Sequence, residues 1–504
     1  MQRHALNCDL KSALQGNSLL LATLVLCVTR LWLMPLPSSL WVDEMATVFV
    51  VQHGAGHPSL AVAPQVPASV YYWLPGLVQR WFGFSEIGYR LPSILAMGLA
   101  IFLAARLAAR LIHPQAAWLT VFACFALGGI DYHAADARPY ALGMAVAAAT
   151  MWWLVRWLDS GLWRHGLLFV GSGALLWRVH LIYWPFYGAV GLYFFVRMMR
   201  HDTPVGWRRA AVVFGLLALA LAPVLQHALE LVGHAQDHVI AQEPSFRVFF
   251  NSLQVRLLLI CGLGAWLMGR LCGWPRERTL LSASSLALIL GWWLSQPACL
   301  YLFSRLSGNS VFVQRYLSLT LPGAALAAVA VSARFIPKEQ WKPLALALGM
   351  GVLLVRAQWT TLWPQHDNSD WRGAARSVNQ LRLGPDLPLV CPSPFIEARW
   401  PVWRPGYPLP SFLYAHLPVY PVAGRPYPFP NETSPEAERY AAGLLRGRLS
   451  DSGRFLVYGG AGNVAFWRKW FAARMEPLGW TNRSLGEFGD MGAILFERGP
   501  AGAR

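Results

Sequence analysis

Long apolar windows separated by short basic stretches constrain this chain of 504 residues more than any other feature. An α-helix needs about 20 apolar residues to cross a ~30 Å hydrocarbon core. Only 13% of the residues are charged and the mean hydropathy is +0.38, whereas a soluble domain carries about 25% charged residues. The sequence therefore predicts a polytopic α-helical membrane protein. About eleven windows are long enough to span, at residues 18–36, 91–111, 115–133, 139–158, 164–179, 181–198, 209–227, 253–271, 279–297, 316–335 and 343–361.

The formal net charge of +17 is concentrated in alternate loops between these windows. A strongly basic chain can indicate nucleic-acid binding, but basic residues confined to one set of loops follow the positive-inside rule. We therefore expect no nucleic-acid partner and assign these loops to the cytoplasm. The residues that define this side include Arg106, Arg110, Arg156, Arg164, Arg200, Arg208, Arg270, Arg276, Arg334 and Lys338. The loop after the first window and the last ~140 residues are then predicted to lie outside.

The composition predicts two domains, a transmembrane domain at 1–362 and an extracytoplasmic α/β domain at 363–504. Within the first outer loop, the aromatic stretch 71–78 is typical of a helix lying in the membrane interface. Beyond Trp363, proline, glycine and charge increase and no further span follows. There the pattern predicts helices at Trp371–Leu383 and Ala465–Arg474, a proline-rich stretch at 392–430, and strands at Leu387–Val390, Phe455–Tyr458 and Met491–Glu497.

Neither a structural metal nor a disulfide framework is indicated. The seven cysteines are scattered and none forms a CxxC pair. Glu230, His234 and His238 are spaced so that they would line one face of a helix, which is a metal-ligand pattern. They lack a convergent fourth ligand, so we expect no metal and no cofactor, and name these three as the candidates.

Acidic and basic residues collect at the outer ends of the predicted spans. The residues are Asp43, Glu44, Asp131, His133, Asp136, Arg138, Arg178, His180, Arg305 and Arg315. Each has a structural alternative: an acid before a helix suits the helix dipole, an interfacial arginine can extend to the headgroups, and a single histidine is more often buried than catalytic. Taken together, acids and arginines from several spans suit a reaction between a lipid-bound anion and an outer acceptor.

The order of short motifs resembles that of the GT-C membrane glycosyltransferases of the protein O-mannosyltransferase and lipid A aminoarabinose-transferase kind (glycosyltransferase family 39-like). The resemblance covers roughly residues 18–335, with one further motif beyond. The motifs are Trp41-Val42-Asp43-Glu44, Tyr89-Arg90-Leu91-Pro92-Ser93, Asp136-Ala137-Arg138-Pro139-Tyr140-Ala141-Leu142, Val179-His180, Gln314-Arg315-Tyr316-Leu317 and Asp370-Trp371-Arg372-Gly373-Ala374-Ala375.

The chain departs from the family pattern at two places. Many members have a charged residue followed by Pro-Pro before the Tyr-Tyr of the first outer loop, whereas here the stretch 65–72 has no charge. Asp136 also stands where glutamate is commoner. A charged donor contact that those members use is therefore missing from this loop.

The resemblance implies transfer of a hexose or pentose from a polyprenyl-phosphate donor to an extracytoplasmic glycan, lipid or protein acceptor. Asp43 would act as general base on the acceptor hydroxyl, with Glu44 and Asp136 orienting the substrates. Arg138, His180 and Arg315 would bind the donor phosphate, because arginine matches phosphate with two parallel hydrogen bonds. One base and a single displacement would invert the anomeric carbon, with no metal.

A transporter or lipid flippase is the alternative, because it too would have many spans and interior charges. Such proteins more often show broken helices and repeat symmetry around the bilayer midplane. Here the charges gather at one interface and a soluble domain follows, so we favour the enzyme. The expected location is the bacterial inner (plasma) membrane.

Overall fold

The computed structural model describes residues 17–54, 69–238, 242–275 and 281–499. The described chain forms two compact units. The first, called here the helical unit, contains residues 17–36, 69–75 and 90–364. The second, called the sheet unit, contains residues 37–54, 76–89 and 365–499.

The helical unit is built from apolar helices. They are α1 (Asn17–Leu33), most of α4 (Glu86–Leu111), α5 (Ala116–Phe125), α6 (Gly128–Ala134), α7 (Tyr140–Ser160), α8 (Trp163–Val179), α9 (Phe186–Met199), α10 (Trp207–His238), α11 (Phe246–Ser252), α12 (Val255–Leu271), α13 (Ala283–Ser307), α14 (Leu321–Ser332) and α15 (Trp341–Arg356). The 3-10 helix Leu181–Tyr183 precedes α9, and a second, Gln314–Thr320, leads into α14.

Five helices in the described chain are long and apolar enough to cross a membrane by themselves. The pair α11 and α12 adds a sixth if the two are one span, since they are bent by 50° at their junction. Each predicted window contains a helix, which confirms a mostly helical fold with several long apolar helices. Eleven spans remain a prediction, because several of these helices are shorter than a bilayer requires.

The apolar window 115–133 does not form one continuous helix. The chain forms two short helices, α5 and α6, because Leu127 is extended and Gly128 and Gly129 follow it. Glycine weakens a continuous helix and permits such a break. The predicted window 343–361 is also longer than its helix, since α15 ends at Arg356. There, the Arg30 guanidinium donates hydrogen bonds to four backbone carbonyls between Ala357 and Leu362.

The predicted break between the windows 164–179 and 181–198 is confirmed. His180 ends α8 in an extended conformation, with φ −160° and ψ 127°. A 3-10 turn and Pro185 separate it from α9. The break therefore leaves the His180 side chain at a helix end.

Close packing of α13 against α14 fixes the position of the 3-10 helix that carries Arg315. A Cβ added to Gly323 would lie 2.7 Å from the backbone nitrogen of Trp293, so only glycine permits this approach. Small residues have this role at membrane helix interfaces. The indole of Trp292 donates a hydrogen bond to the Leu319 carbonyl at 2.9 Å.

The sheet unit contains one five-stranded mixed sheet in the order β2-β1-β3-β5-β4. β1 pairs in parallel with β2 and β3, whereas β5 pairs antiparallel with β3 and β4. The strands are β1 (Pro388–Pro392), β2 (Arg425–Phe429), β3 (Arg454–Gly460), β4 (Trp480–Ser484) and β5 (Met491–Arg498). The helices are α2 (Val42–His53), α3 (Trp73–Phe82, mostly in this unit), α16 (Trp371–Gln380), α17 (His416–Val419), α18 (Pro435–Leu444) and α19 (Ala461–Met475).

The small α/β fold is confirmed, including β1, β3, β5, α16 and α19 close to the predicted positions. β2 was not predicted, and it lies inside the proline-rich stretch. Pro426 and Pro428 are compatible with a strand there because β2 is at the edge of the sheet and pairs on one side only.

Candidate functional site

Four of the predicted site residues belong to the helical unit, and His180 is central among them. Tyr140, Tyr183 and Tyr316 surround its ring, with centroid distances of 6.1, 5.4 and 5.4 Å. The His180 Nδ1 accepts a hydrogen bond from the backbone N–H of Ile182 at 3.3 Å. A neutral His180 therefore carries its proton on Nε2, which leaves that atom as a hydrogen-bond donor.

Arg138 and Arg315 both act electrostatically on His180. Burial and, after it, the positive charges of these two arginines lower the pKa of His180 from 6.5 to about 3. The two guanidinium groups come from different elements, since Arg138 precedes α7 and Arg315 lies in the 3-10 helix before α14. Arg315 and His180 both contact the Tyr316 ring, at 5.8 and 5.4 Å from its centroid. Two positive charges that act on one neutral donor are an arrangement suited to a phosphate.

Asp136 lies beside this group. Its carboxylate is fully buried and lies 3.6 Å from the Nδ1 of His133. The His133 ring contacts Tyr140, with 4.8 Å between centroids, and Tyr140 in turn contacts His180. The structure therefore brings Asp136, Arg138, His180 and Arg315 together within the helical unit.

Gln296, which was not predicted from the sequence, joins the two segments that carry His180 and Arg315. Its side-chain amide is buried in the middle of α13. The Nε2 donates to the Ile182 carbonyl at 2.9 Å and to the Tyr316 carbonyl at 3.1 Å. Gln296 therefore holds both short 3-10 helices by their backbones, as a positioning residue would.

Three other arginines have structural partners. Arg305 forms an exposed ion pair with Glu243 at 2.8 Å. Arg178 donates to the Ala220 carbonyl at 3.2 Å. Arg90, from the Tyr-Arg-Leu-Pro motif, is fully buried and donates to the Leu36 carbonyl at 2.8 Å.

Asp43 and Glu44 belong to the sheet unit, in the first turn of α2. The fully buried Glu44 carboxylate accepts a hydrogen bond from the backbone N–H of Trp41 at 3.1 Å. This contact satisfies a donor at the helix start, as the glutamate of a capping box does. Asp43 is partly exposed, so its side chain is the more accessible of the two.

The Asp370–Ala375 motif anchors the segment that leads into α2, the helix that carries Asp43. Asp370 caps α16 by accepting from the Gly373 N–H at 2.9 Å, and a Cβ at Gly373 would collide with that carboxylate. Arg372 then forms an ion pair with Glu86 at 3.0 Å and donates to the Pro37 carbonyl at 2.7 Å. The backbone N–H of Arg372 donates to the Ser39 hydroxyl at 2.8 Å. The motif therefore has a structural explanation.

The candidate metal ligands Glu230, His234 and His238 fall on the last turns of α10. Their side chains lie outside the described residues.

The chain has a fold similar to that of two solved structures of ArnT. Among solved structures, it is similar to ArnT from Cupriavidus metallidurans in the apo state, with 11% identity, a TM-score of 0.58, and coverage of 95% of this chain and 98% of that chain. It is also similar to the same protein bound to undecaprenyl phosphate, with 12% identity, a TM-score of 0.56, and coverage of 94% and 97%. No protein-family profile and no curated protein sequence matches the chain. The similarity is one of fold.

Proposed function

We propose that this chain is a glycosyltransferase that moves a sugar from a polyprenyl-phosphate donor to an extracytoplasmic glycan, lipid or protein. The observation that carries the proposal is the setting of His180 in the helical unit, where Tyr140 and Tyr316 flank its ring and the Arg315 guanidinium lies 5.8 Å from the Tyr316 ring centroid. The lowered pKa of His180 agrees with this, because Arg138 and Arg315 both contribute to it. The fold supports it, because one of the similar ArnT structures is bound to undecaprenyl phosphate.

In this proposal Arg138 and Arg315 bind the donor phosphate and compensate its charge as the glycosidic bond breaks. Neutral His180 contributes a hydrogen bond from Nε2 rather than a positive charge. A phosphate already leaves readily, so positive partners serve better than a general acid. Asp136 orients a sugar hydroxyl near this group.

The acceptor hydroxyl must lose its proton as the new bond forms, and we propose Asp43 as the base. Glu44 holds the start of α2 and supports Asp43. With one base and one displacement, the anomeric carbon is inverted. The reaction is then that of a hexosyl- or pentosyltransferase, and it requires no metal or cofactor.

Mass spectrometry of envelope lipids, glycans and glycoproteins tests the activity. A deletion strain should lack one sugar modification and accumulate the matching polyprenyl-phosphate sugar, and the intact chain should restore both. Purified protein in nanodiscs should also bind a polyprenyl-phosphate sugar. If the strain is unchanged and the protein has no such affinity, the proposal is wrong and a transporter becomes the better explanation.

We further propose that the chain spans the bacterial inner membrane about eleven times, with the sheet unit outside. Single cysteines introduced at Gln52, an exposed position in the same outer segment as Ser39, and at Gly460 should both react with an impermeant thiol reagent in intact cells with a permeabilised outer membrane. The native Cys272 is the matched control, because it is exposed but lies in a loop predicted to be cytoplasmic. If Cys272 is labelled and the two introduced cysteines are not, the chain has the opposite orientation in the membrane.

Gln296→Leu should weaken donor binding without any direct contact to the donor. The substitution leaves the Ile182 and Tyr316 carbonyls without their donor, which costs about 1–3 kcal/mol, and lets the segments bearing His180 and Arg315 move. We expect the dissociation constant for the donor to rise at least fivefold, measured in nanodiscs.

Trp293→Phe is the control for Gln296→Leu. It removes one hydrogen bond from the same helix, between the Trp293 indole and the Leu253 carbonyl at 2.8 Å, and leaves both site segments intact. Equal donor affinities for the two variants would remove Gln296 from the positioning role.

A further inference from the structure

A basic groove lies in the sheet unit, along α16 and the turn that follows it. Its volume is about 520 Å³, within the range of ~300–1,000 Å³ that small-molecule sites occupy. Arg372, Arg376 and Arg382 line it, together with Asn379 and Tyr420. None of the described side chains that line the groove is acidic.

The three arginines differ in how their charge is used. Arg372 is engaged by Glu86 at 3.0 Å, and the Tyr420 hydroxyl donates to the same carboxylate at 3.2 Å. Arg376 and Arg382 are exposed, and neither forms an ion pair with a carboxylate in the described ranges. The groove therefore presents two guanidinium groups whose charge the protein itself does not neutralise.

The backbone at Arg382 is unusual. Its φ is +50°, a left-handed conformation, and it lies just beyond the end of α16. Glycine is the usual residue at such a helix end, because other side chains adopt this conformation at a cost. The chain thus carries a guanidinium at a position where the backbone alone favours glycine, and strain of this kind often accompanies binding sites.

The opposite wall of the groove is fixed to α16. The Asn379 amide donates to the Pro421 carbonyl at 2.9 Å and its oxygen accepts from the Ala423 N–H at 2.7 Å. The Tyr420 hydroxyl accepts from the Leu40 N–H at 2.8 Å. A ligand would therefore meet a wall that is already ordered, which lowers the entropy cost of binding.

We propose that this groove binds a phosphomonoester carried by a sugar or a lipid headgroup. A phosphate can accept two parallel hydrogen bonds from a guanidinium, and its two negative charges match the two free arginines. The Gln380 amide offers a further polar contact to the attached group. The proposal uses no residue assigned to the polyprenyl-phosphate donor and does not depend on the transfer reaction.

The test uses the full chain in phosphatidylcholine nanodiscs. One arm titrates glucose 6-phosphate against glucose, and the other replaces part of the lipid with phosphatidic acid. Hydrogen exchange of peptides covering 371–383 reports binding at the groove itself.

The double variant Arg376→Ala/Arg382→Gly removes both free charges, and it places glycine, the residue that the turn favours, at position 382. Arg448→Ala is the matched control, since Arg448 is also exposed and no described carboxylate pairs with it.

We expect glucose 6-phosphate or phosphatidic acid, or both, to slow hydrogen exchange in residues 371–383. Protection by glucose 6-phosphate identifies a soluble ligand, and protection by phosphatidic acid identifies a lipid ligand. Protection should persist in Arg448→Ala and Arg315→Ala. The double variant should bind at least tenfold more weakly, and raising the salt from 50 to 200 mM should weaken binding to the unaltered chain. The proposal is overturned if neither arm protects the segment, if glucose protects it equally, or if the double variant and Arg448→Ala behave alike.

Discussion

Asp43→Asn should abolish sugar transfer while donor binding remains. The substitution keeps the size and shape of the side chain but removes the proton acceptor, and loss of a general base lowers a rate by about 10²–10⁴. The amide should also fold normally, because an acid in the first turn of a helix contributes only ~0.3–1 kcal/mol through the helix dipole. The measurement is the release rate of polyprenyl phosphate at saturating donor, with donor affinity measured in parallel.

Glu44→Gln is the comparison that distinguishes Asp43 from Glu44 as the general base. Glu44 is buried and accepts from the Trp41 N–H, and glutamine at this helix position can accept the same hydrogen bond. We therefore expect a smaller loss of rate than for Asp43→Asn. If the order is reversed, the base is Glu44. If neither substitution slows transfer, Asp136 becomes the next candidate, tested by Asp136→Asn.

The charged residues of the candidate site stand out in the sequence because a charge near a membrane is costly and its position is informative. Arg138, His180 and Arg315 each stand at the end of an apolar window, and the structure brings them together in the helical unit. The boundary of an apolar window does not show which helix ends lie close together in the folded chain. The motif order of the resembling family supplied that grouping.

Gln296 could not be found in this way. It is uncharged, lies in the middle of an apolar helix, and has its role only through the carbonyls of Ile182 and Tyr316. Backbone acceptors are the same at every residue, so a sequence carries no sign of which ones a buried amide will reach. The ion pair of Arg372 with Glu86 is similar, since 286 positions separate the two residues.

The sequence predicted where the apolar helices occur better than it predicted where they end. Hydropathy found an apolar helix in every window, but it did not reveal that α5 ends before Gly128 or that α15 ends at Arg356. The first break is a local glycine effect. The second coincides with the hydrogen bonds of Arg30, which is remote in sequence. In the sheet unit, the proline content concealed β2, because only its edge position makes the prolines acceptable.

Arg315→Ala should weaken donor binding far more than Arg305→Ala. Arg315 lies in the group around His180, whose pKa its charge lowers, whereas Arg305 is exposed and paired with Glu243. Loss of a charge-assisted hydrogen bond to phosphate costs about 1.5–3 kcal/mol, which is roughly a ten- to hundredfold rise in the dissociation constant. An exposed ion pair contributes about 0–1 kcal/mol to stability, so Arg305→Ala should change donor affinity little.

Arg315→Lys distinguishes charge from geometry at the same position. Lysine restores the positive charge but not the planar pair of donors, so it should recover part of the lost affinity. The measurement is the donor affinity of each purified variant in nanodiscs at two salt concentrations. The salt dependence reports the contribution of the charge, and the difference between arginine and lysine reports the contribution of the planar donors. Equal and small effects of Arg315→Ala and Arg305→Ala would contradict the phosphate site. Full recovery by lysine would instead retain the site and assign Arg315 a purely electrostatic role, because a point charge would then be all that the phosphate requires.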